Sequence, residues 1–583
     1  MLLLVATVTP FHAAVLSSGV YRYAKVSDPR GYDVPFYRDG RTATVSVRRA
    51  HGSRMLTLAT NGKPDASLSL SWIRPAAGDT VRRPLTGDQV TQALLPLVTL
   101  AHHPHARSAA VIGQGSGMTS HLLLASRELR ALSTIDIEPQ MIAGSRVFYP
   151  ANRRVFDDPR ATFVVDDAKA FFASAHRTFD VIVSEPSNPW VSGVSGLFTD
   201  EFYHRVRGYL APGGVFGQWL HLYEIDDRLV LSVLAALHRN FPSYEIYMVS
   251  NADIFVVASN EPALRRADWG VVALPDVAHD LARTLPLDSS TLDAMRVLDR
   301  ATLAPVLDRW RAPNSDYFPL LDLGAERTRF LKESASGFRA LHTGRFDPVA
   351  ALRGWRVGFA DASVSPIEMP RADARARGAA VRQAWQAYAP DGAPVRDDEA
   401  PFLRLPGGET AWLRDAIYRR AAFEAVVASG RPPADWHRFV AHAYDVEGEL
   451  HGGTAGVADS AFYGRLFAYL DAARAPAEVR ASIAFFHGLA AYDFREAADA
   501  AEVLVAALRR GDRWVRPQIL HDGAVVAAIR LGDAERATRL LAATAREAER
   551  DRADLRSELF THWIARIARA ASPARPAAPA PID

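Results

Sequence analysis

The chain has 583 residues, no cysteine, 37 glycines and 36 prolines, with 49% apolar and 23% charged residues. That composition is globular and excludes collagen, a coiled-coil rod and a wholly disordered chain, while the missing cysteine excludes disulfides, thiolate zinc sites, iron–sulfur clusters and a cysteine nucleophile. Basic and acidic residues nearly cancel, 68 against 66, so the basic excess of a nucleic-acid binder is absent.

Met1 to Tyr21 carries no charged side chain and opens MLLLVATVTP. It lacks the positive start of a secretory signal, and Pro10, His12, Ser17 and Ser18 break the apolar run well short of the roughly twenty residues a membrane span needs. Residues 30–75 read as a small antiparallel sheet. Thr42–Val47, Met55–Leu58 and Ser67–Ile73 alternate apolar and polar residues, and Asn61-Gly62 marks a hairpin turn.

From 88 to 260, apolar runs alternate with helical patterns. Strands are predicted at Ser108–Ile112, Ala131–Ile137, Thr162–Val165, Phe179–Val183, Gly214–Trp219 and Ile254–Ala258, with helices between them at Met118–Arg130 and Thr199–Leu210. This pattern predicts an α/β fold: a doubly wound, Rossmann-like parallel sheet covered on both faces. The strands are expected to stop near 276. Residues 345–570 have helical periodicity, and Tyr492-Asp-Phe-Arg-Glu-Ala-Ala is echoed about forty residues later by Leu531-Gly-Asp-Ala-Glu-Arg-Ala. The expected organisation is an N-terminal segment and β region (1–80), a Rossmann-like domain (81–275), a closing helical segment (276–345), a repeat-like α-helical domain (346–571) and a Pro/Ala-rich disordered tail (572–583).

The chemistry concentrates at strand ends. Gly113, Gly115 and Gly117 in Val111-Ile-Gly-Gln-Gly-Ser-Gly117 allow a tight turn between strand and helix. Asp136, 23 residues after Gly113 at the end of the next strand, can accept both hydroxyls of a ribose. Asp166-Asp167-Ala168 ends the third strand, where a carboxylate can accept from an adenine amino group. The spacing GxGxG, without a phosphate-binding lysine, suits an adenosyl-sulfonium ligand better than a dinucleotide. A fourth strand delivers Ser184-Glu-Pro-Ser-Asn-Pro-Trp190, in which Glu185 can take a proton from an ammonium before it attacks carbon. His102, His103 and His105, interrupted by Pro104, read as surface histidines, and no metal site is expected.

These residues resemble the spermidine synthase (polyamine aminopropyltransferase) family from about Gly87 to Ser259. The matches are Gly87-Asp88, Thr91-Gln92, the glycine loop, Asp136-Ile-Glu138, Asp158-Pro-Arg160, Asp167-Ala168, Ser184–Trp190, Leu197-Phe-Thr199 and Gln218-Trp219. The resemblance implies decarboxylated S-adenosylmethionine (or S-adenosylmethionine) as co-substrate, with no metal, and transfer of an aminopropyl group to a polyamine or other amine. It assigns the donor to Gln92, Gly113, Gly115, Ser116, Gly117, Asp136, Asp167 and Ala168, catalysis to Glu185 and Asn188, and the acceptor to Trp190, Gln218 and Tyr223. The family usually has an Asp at the position of Ser116, and its acceptor-site Tyr and Glu are Thr91 and Ala93 here. A methyltransferase on the same fold and a non-catalytic adenosyl-binding scaffold are the alternatives.

The segment Ser18-Gly-Val-Tyr-Arg-Tyr23, and the closing Pro313-Asn-Ser-Asp-Tyr-Phe-Pro319, resemble the branch of the family fused behind a transporter-like membrane region. That likeness implies a lost membrane junction before Ser18. The expected partners are a small-molecule amine, a second copy in a homodimer, and a protein or membrane component at the helical domain or N-terminus, with no nucleic acid. The expected location is the cytoplasm, with membrane association through the N-terminal segment as the variant.

Overall fold

The computed structural model describes residues 12–571 apart from 76, 81, 86, 192, 251, 342–346, 354, 356–369, 389–410, 452–458 and 549–554. The apolar opening MLLLVATVTP and the tail Ser572–Asp583 lie outside the described residues.

Four strands form the N-terminal antiparallel meander: β1 (Tyr32–Asp39), β2 (Thr44–Ala50), β3 (Met55–Thr60) and β4 (Lys63–Ser69), in the order β1-β2-β3-β4. Asn61 and Gly62, both in the left-handed region (φ 51° and 80°), close the β3–β4 hairpin as their sequence demands. The predicted strand Ser67–Ile73 is corrected: β4 stops at Ser69, whose side chain caps a helical turn over Leu70–Ile73.

The main sheet has eight strands in the order β12-β10-β11-β9-β8-β5-β6-β7. β5 (Ser108–Ile112), β6 (Ala131–Asp136), β7 (Ala161–Val165), β8 (Phe179–Ser184) and β9 (Leu210–His221) pair in parallel. Their central runs are almost wholly apolar because helices cover both faces. The other three strands depart from expectation. β10 (Ser243–Met248) was not predicted, and β11 (Asp253–Ser259) returns from it in a hairpin, so β11 is antiparallel to both β10 and β9. β12 (Arg296–Asp299) pairs with β10, so strands do not stop near 276. The helix predicted over Met118–Arg130 covers only Met118–Leu123. Beyond it the Arg160 guanidinium donates to the carbonyls of Leu124, Ser126 and Leu129 at 2.6–2.8 Å and ends the helical ladder.

Two contacts set the meander against the sheet. The Glu138 carboxylate accepts from Thr42 N (2.7 Å), Thr42 Oγ1 (2.9 Å) and Ala43 N (3.3 Å), and these donors hold it below the usual carboxylate range despite burial. Ser67 Oγ donates to Asp88 at 2.7 Å, at the start of the helix Asp88–Ala101. That helix lies so close to β9 that a Cβ at Gly217 would overlap the Thr99 side chain.

The C-terminal part is helical hairpins. The two echoed motifs occupy equivalent turns. Tyr492 (φ 61°) and Gly532 (φ 75°) end one helix in the left-handed region, and Asp493 and Asp533 cap the next by accepting from the N–H of Glu496 and Arg536. The last helix, Leu555–Ala571, docks back on the sheet-bearing part, where Trp563 Nε1 donates to Thr302 O at 3.1 Å. Among the described residues no helix is long and apolar enough to cross a membrane.

The close approach at Gly217 yields a prediction. Gly217→Ala forces the Asp88–Ala101 helix off β9, and the expected loss is about 1–3 kcal/mol, the range for overpacking a tight core. Chemical denaturation followed by fluorescence measures it; an unchanged midpoint contradicts this packing.

Candidate functional site

The site lies at the carboxyl ends of β5, β6 and β8. In the sheet order β6 and β8 flank β5, so Asp136 and Glu185 stand on either side of the glycine loop that ends β5. Gly113 has φ 94°, and a Cβ on it would overlap the carbonyl oxygen of Glu185. The residue is required there because the backbone of the loop after β8 packs on it, and Glu185 N donates to Ile112 O at 3.0 Å alongside.

Asp136 accepts from Gln114 N at 2.9 Å and from Glu138 N at 2.8 Å. Desolvation outweighs these donors and raises its carboxyl to about 6. Asp167 is exposed and caps the helix Ala168–Ala175 by accepting from Ala170 N at 3.1 Å, with Ala168 buried behind it. Gly115 (φ 48°) and Gly117 (φ 84°) complete the loop.

Gln92 and Ser116 come together, but toward each other. Ser116 Oγ donates to Gln92 Oε1, and Gln92 Nε2 donates to Asp88 O at 2.9 Å and Ser67 O at 3.2 Å. Both ends of the Gln92 amide are therefore engaged within the protein. Gln218 is engaged likewise: Tyr203 OH donates to its Oε1 at 2.6 Å, and its Nε2 donates to Leu197 O at 2.9 Å. It fixes the loop Val194–Phe198 against β9.

Glu185 accepts from Thr119 Oγ1. Desolvation, followed by the nearby Asp88 and Asp253 charges, pushes its carboxyl up to about 7 against the donation from Thr119. Asp253 opens β11, accepts from Trp219 Nε1 at 2.8 Å and Ser250 Oγ at 2.9 Å, and is itself raised to about 6, mainly by desolvation. Asn188 Nδ2 donates to Tyr223 OH at 3.2 Å. Trp190, His221 and Tyr223 form an aromatic wall, with centroids 4.9 Å apart for Trp190–His221 and 5.0 Å for His221–Tyr223.

Several residues of this site escaped the sequence reading. Lys63 is buried and donates to Asp65 (2.5 Å) and Ser187 (2.8 Å), tying β4 to the loop that carries Glu185. Asp253 could have been noticed as a lone carboxylate heading an apolar strand. His221, fully buried at the end of β9, gave no signal. Arg22 sits in a motif noted only for its resemblance, yet its guanidinium pairs with Glu224. The histidine reading is corrected: His102 and His103 are buried, and only His105 is exposed. His102 is hydrogen bonded to Arg265 O (2.6 Å) and Tyr247 OH (2.8 Å), partners from elements far along the chain. Among the described residues no group of three or more His, Asp or Glu side chains is placed to hold a metal ion.

The raised carboxyl of Glu185 fixes a pH dependence. In the folded protein the group titrates near 7, and its ordinary value is 4.5. Below 4.5 both folded and unfolded chains hold the proton and burial costs nothing here. As pH rises from 4.5 to 7 the unfolded chain releases its proton first, so stability falls, and above 7 the full penalty is present. Glu185→Gln removes this term. The melting temperature of the ligand-free variant is expected to gain on the wild type progressively from pH 5 to pH 8; a difference constant across that range contradicts the buried carboxyl.

Comparison with known proteins finds similarity over this part of the chain. Residues 89–257 match the spermine/spermidine synthase domain. The polyamine aminopropyltransferase of Enterobacter sp. (strain 638) is 34% identical over 120 residues, 20% of this chain and 41% of that protein. The Salmonella arizonae protein of the same name is 35% identical over 120 residues, 20% and 42%. The chain thus spans about two fifths of the length of these curated relatives. Among solved structures, spermidine synthase from Thermotoga maritima aligns with TM-score 0.32 at 18% identity, over 42% of this chain and 87% of that one. Human methyltransferase-like protein 13, in complex with SAH, aligns with TM-score 0.26 at 18% identity, over 34% and 93%. The likeness to the spermine/spermidine synthase domain is thus confined to residues 89–257, within a longer chain.

Proposed function

We propose that the protein transfers an aminopropyl group from decarboxylated S-adenosylmethionine to an amine. One observation carries the reading: a carboxyl group, Glu185, raised to about 7 beside a glycine loop and a ribose-compatible Asp136. A carboxyl tuned to neutral pH in a crevice is what proton removal from an ammonium needs.

In this reading Asp136 accepts from the ribose hydroxyls, Asp167 accepts from the adenine amino group, and Gly113, Gly115 and Gly117 let the donor lie against the backbone. Gln92 acts by orienting Ser116, since its own amide is engaged. The acceptor ammonium gives its proton to the Glu185 carboxylate. The freed nitrogen lone pair attacks the carbon next to sulfur, a C–N bond forms, the C–S bond breaks, and its electron pair returns to sulfur as the neutral thioether 5′-methylthioadenosine. Asn188 holds Tyr223 against the acceptor, and Trp190 supplies a π face for its cationic or alkyl part. Orientation in a largely desolvated crevice supplies most of the rate.

Ser116 favours a second reading of the donor. With a hydroxyl where the family usually has an Asp, nothing at that position repels the carboxylate of intact S-adenosylmethionine. Calorimetry with both sulfonium forms decides between the donors.

The activity test is release of 5′-methylthioadenosine from decarboxylated S-adenosylmethionine across a panel of amines. Glu185→Gln is expected to lower turnover by about 10²–10⁴-fold, the range for a lost general base. For the wild type, kcat/KM is expected to rise with pH through a midpoint near 7, where Glu185 loses its proton. Undiminished turnover in the variant removes Glu185 from the role of base.

A further inference from the structure

The wall of the crevice beyond Glu185 holds a cation. Arg22, in the short helical turn Val20–Tyr23, reaches Glu224 with Nη2 at 3.1–3.2 Å, and its guanidinium carbon lies 5.5 Å from the Trp190 ring centroid. Its side chain is only 16% exposed, and its Nη1 has no hydrogen-bond partner among the described residues. The same holds for Trp190 Nε1 and for both ring nitrogens of His221, in side chains 7% and 0% exposed. Trp190 is the shared neighbour of the other two, since the His221 ring stands edge-on to it. His221 is kept neutral, pushed down to about 3 by burial and then by the charges of Lys63 and Arg22, so it presents one N–H.

Three buried groups with unpartnered N–H donors therefore gather around Trp190: a guanidinium, an indole and an imidazole. The unpartnered acceptor atoms nearby, Glu224 Oε2 and Asp65 Oδ2, belong to carboxylates already paired with Arg22 and Lys63. Asp88, Asp253 and Glu185, none of them hydrogen bonded to a basic side chain among the described residues, act on one another. Tyr223 is within electrostatic range of both sets, of Asp88 and Asp253 and of Arg22.

This polarity suits a ligand that is an amine at one end and an anion at the other. A diamine of the same length places its second ammonium beside a guanidinium and two further N–H donors, where the only carboxylate at hand, Glu224, is already paired with Arg22. A carboxylate placed there accepts from the Arg22 fork, which can serve two carboxylates at once. Resting on the transferase reading above, we propose that Arg22, with Trp190 and His221, is a specificity-determining group that selects an acceptor amine bearing a carboxylate at its far end over a diamine.

The test compares 4-aminobutanoate with 1,4-diaminobutane, which share the reacting amine and the chain length and differ at the far end. Each is titrated by calorimetry into the full-length protein loaded with 5′-methylthioadenosine, and each is offered as acceptor with decarboxylated S-adenosylmethionine. The wild type is expected to bind 4-aminobutanoate at least tenfold more tightly. Arg22→Gln is expected to erase or invert that ratio while leaving the affinity for 5′-methylthioadenosine unchanged, and Arg22→Lys to keep the preference at reduced affinity. Tighter binding of the diamine by the wild type, or a ratio unmoved in Arg22→Gln, overturns the proposal. If 4-aminobutanoate binds with this selectivity but neither amine yields product, the transferase reading fails and the anion-selective end stands. If 5′-methylthioadenosine does not bind, the adenosyl site fails and the proposal, which is built on it, falls too.

Discussion

The carbonyl of Glu185 rests against the bare Cα of Gly113, and the site depends on that contact. It joins the glycine loop to the loop that carries the Glu185 carboxyl, two segments some seventy residues apart in the chain. The hydrogen bond from Glu185 N to Ile112 O fixes the register between them. Any side chain at 113 separates β5 from the loop after β8, so the glycine fixes the place of Glu185 as much as it shapes its own loop. Two such backbones can lie together only because β5 and β8 are adjacent parallel strands whose ends stop at the same level.

From that placement follows an electrostatic consequence. Asp136, Glu185 and Asp253 sit within one crevice without a basic side chain bonded to any of them, and all three are raised by desolvation above the usual carboxylate range. Each is held by neutral donors instead: backbone amides at Asp136, a threonine hydroxyl at Glu185, an indole and a serine at Asp253. Such groups orient a carboxylate without neutralising it, and the negative potential left over favours a positively charged ligand. A sulfonium and an ammonium arriving together fit that potential. Lys63 would cancel it if free, and its bonds to Asp65 and Ser187 use its charge locally, bracing the loop that carries Glu185.

Much of this was legible in the residues. The parallel strands announced themselves as apolar runs, and the glycine loop, Asp136, Asp167 and Glu185 fell at their ends. What could not be read depends on distant partners. β10 alternates as SYEIYM and resembles an amphipathic surface segment until β11 and β12 pair with it. The helix after the glycine loop stops early because Arg160, from the start of β7, caps its following carbonyls. Gln92 and Gln218 look like ligand-binding amides in sequence, and only their neighbours Ser116, Ser67, Tyr203 and Leu197 reveal that both are spoken for. His221 is one polar residue at the end of a long apolar strand, and its placement between Trp190, Trp219 and Tyr223 is tertiary.

The parts that surround Trp190 and Tyr223 come largely from outside residues 89–257. Arg22 and Lys63 precede that domain. Glu224, within it, has a left-handed backbone (φ 55°), a conformation that costs a non-glycine residue of order 1–3 kcal/mol unless its surroundings enforce it. They do: Thr328 Oγ1 donates to Glu224 O at 3.0 Å, and Ala335 N donates to Leu222 O at 3.0 Å. The helix Leu320–Leu331 that carries Thr328 is pinned in turn by Ser195 Oγ, which donates to Asp322 at 2.9 Å, and its Arg329 lies over the Tyr21 ring beside Arg22. The turn at 18–24, the β4 hairpin and the 320–335 segment therefore converge on one spot. The stretch 89–257 supplies the raised carboxyls Asp136, Glu185 and Asp253, and the flanking chain decides what charge stands beside Trp190. In the transferase proposed above, a change of acceptor can then arise without touching β5, β6 or β8, because Arg22 and the segments that hold it are anchored elsewhere.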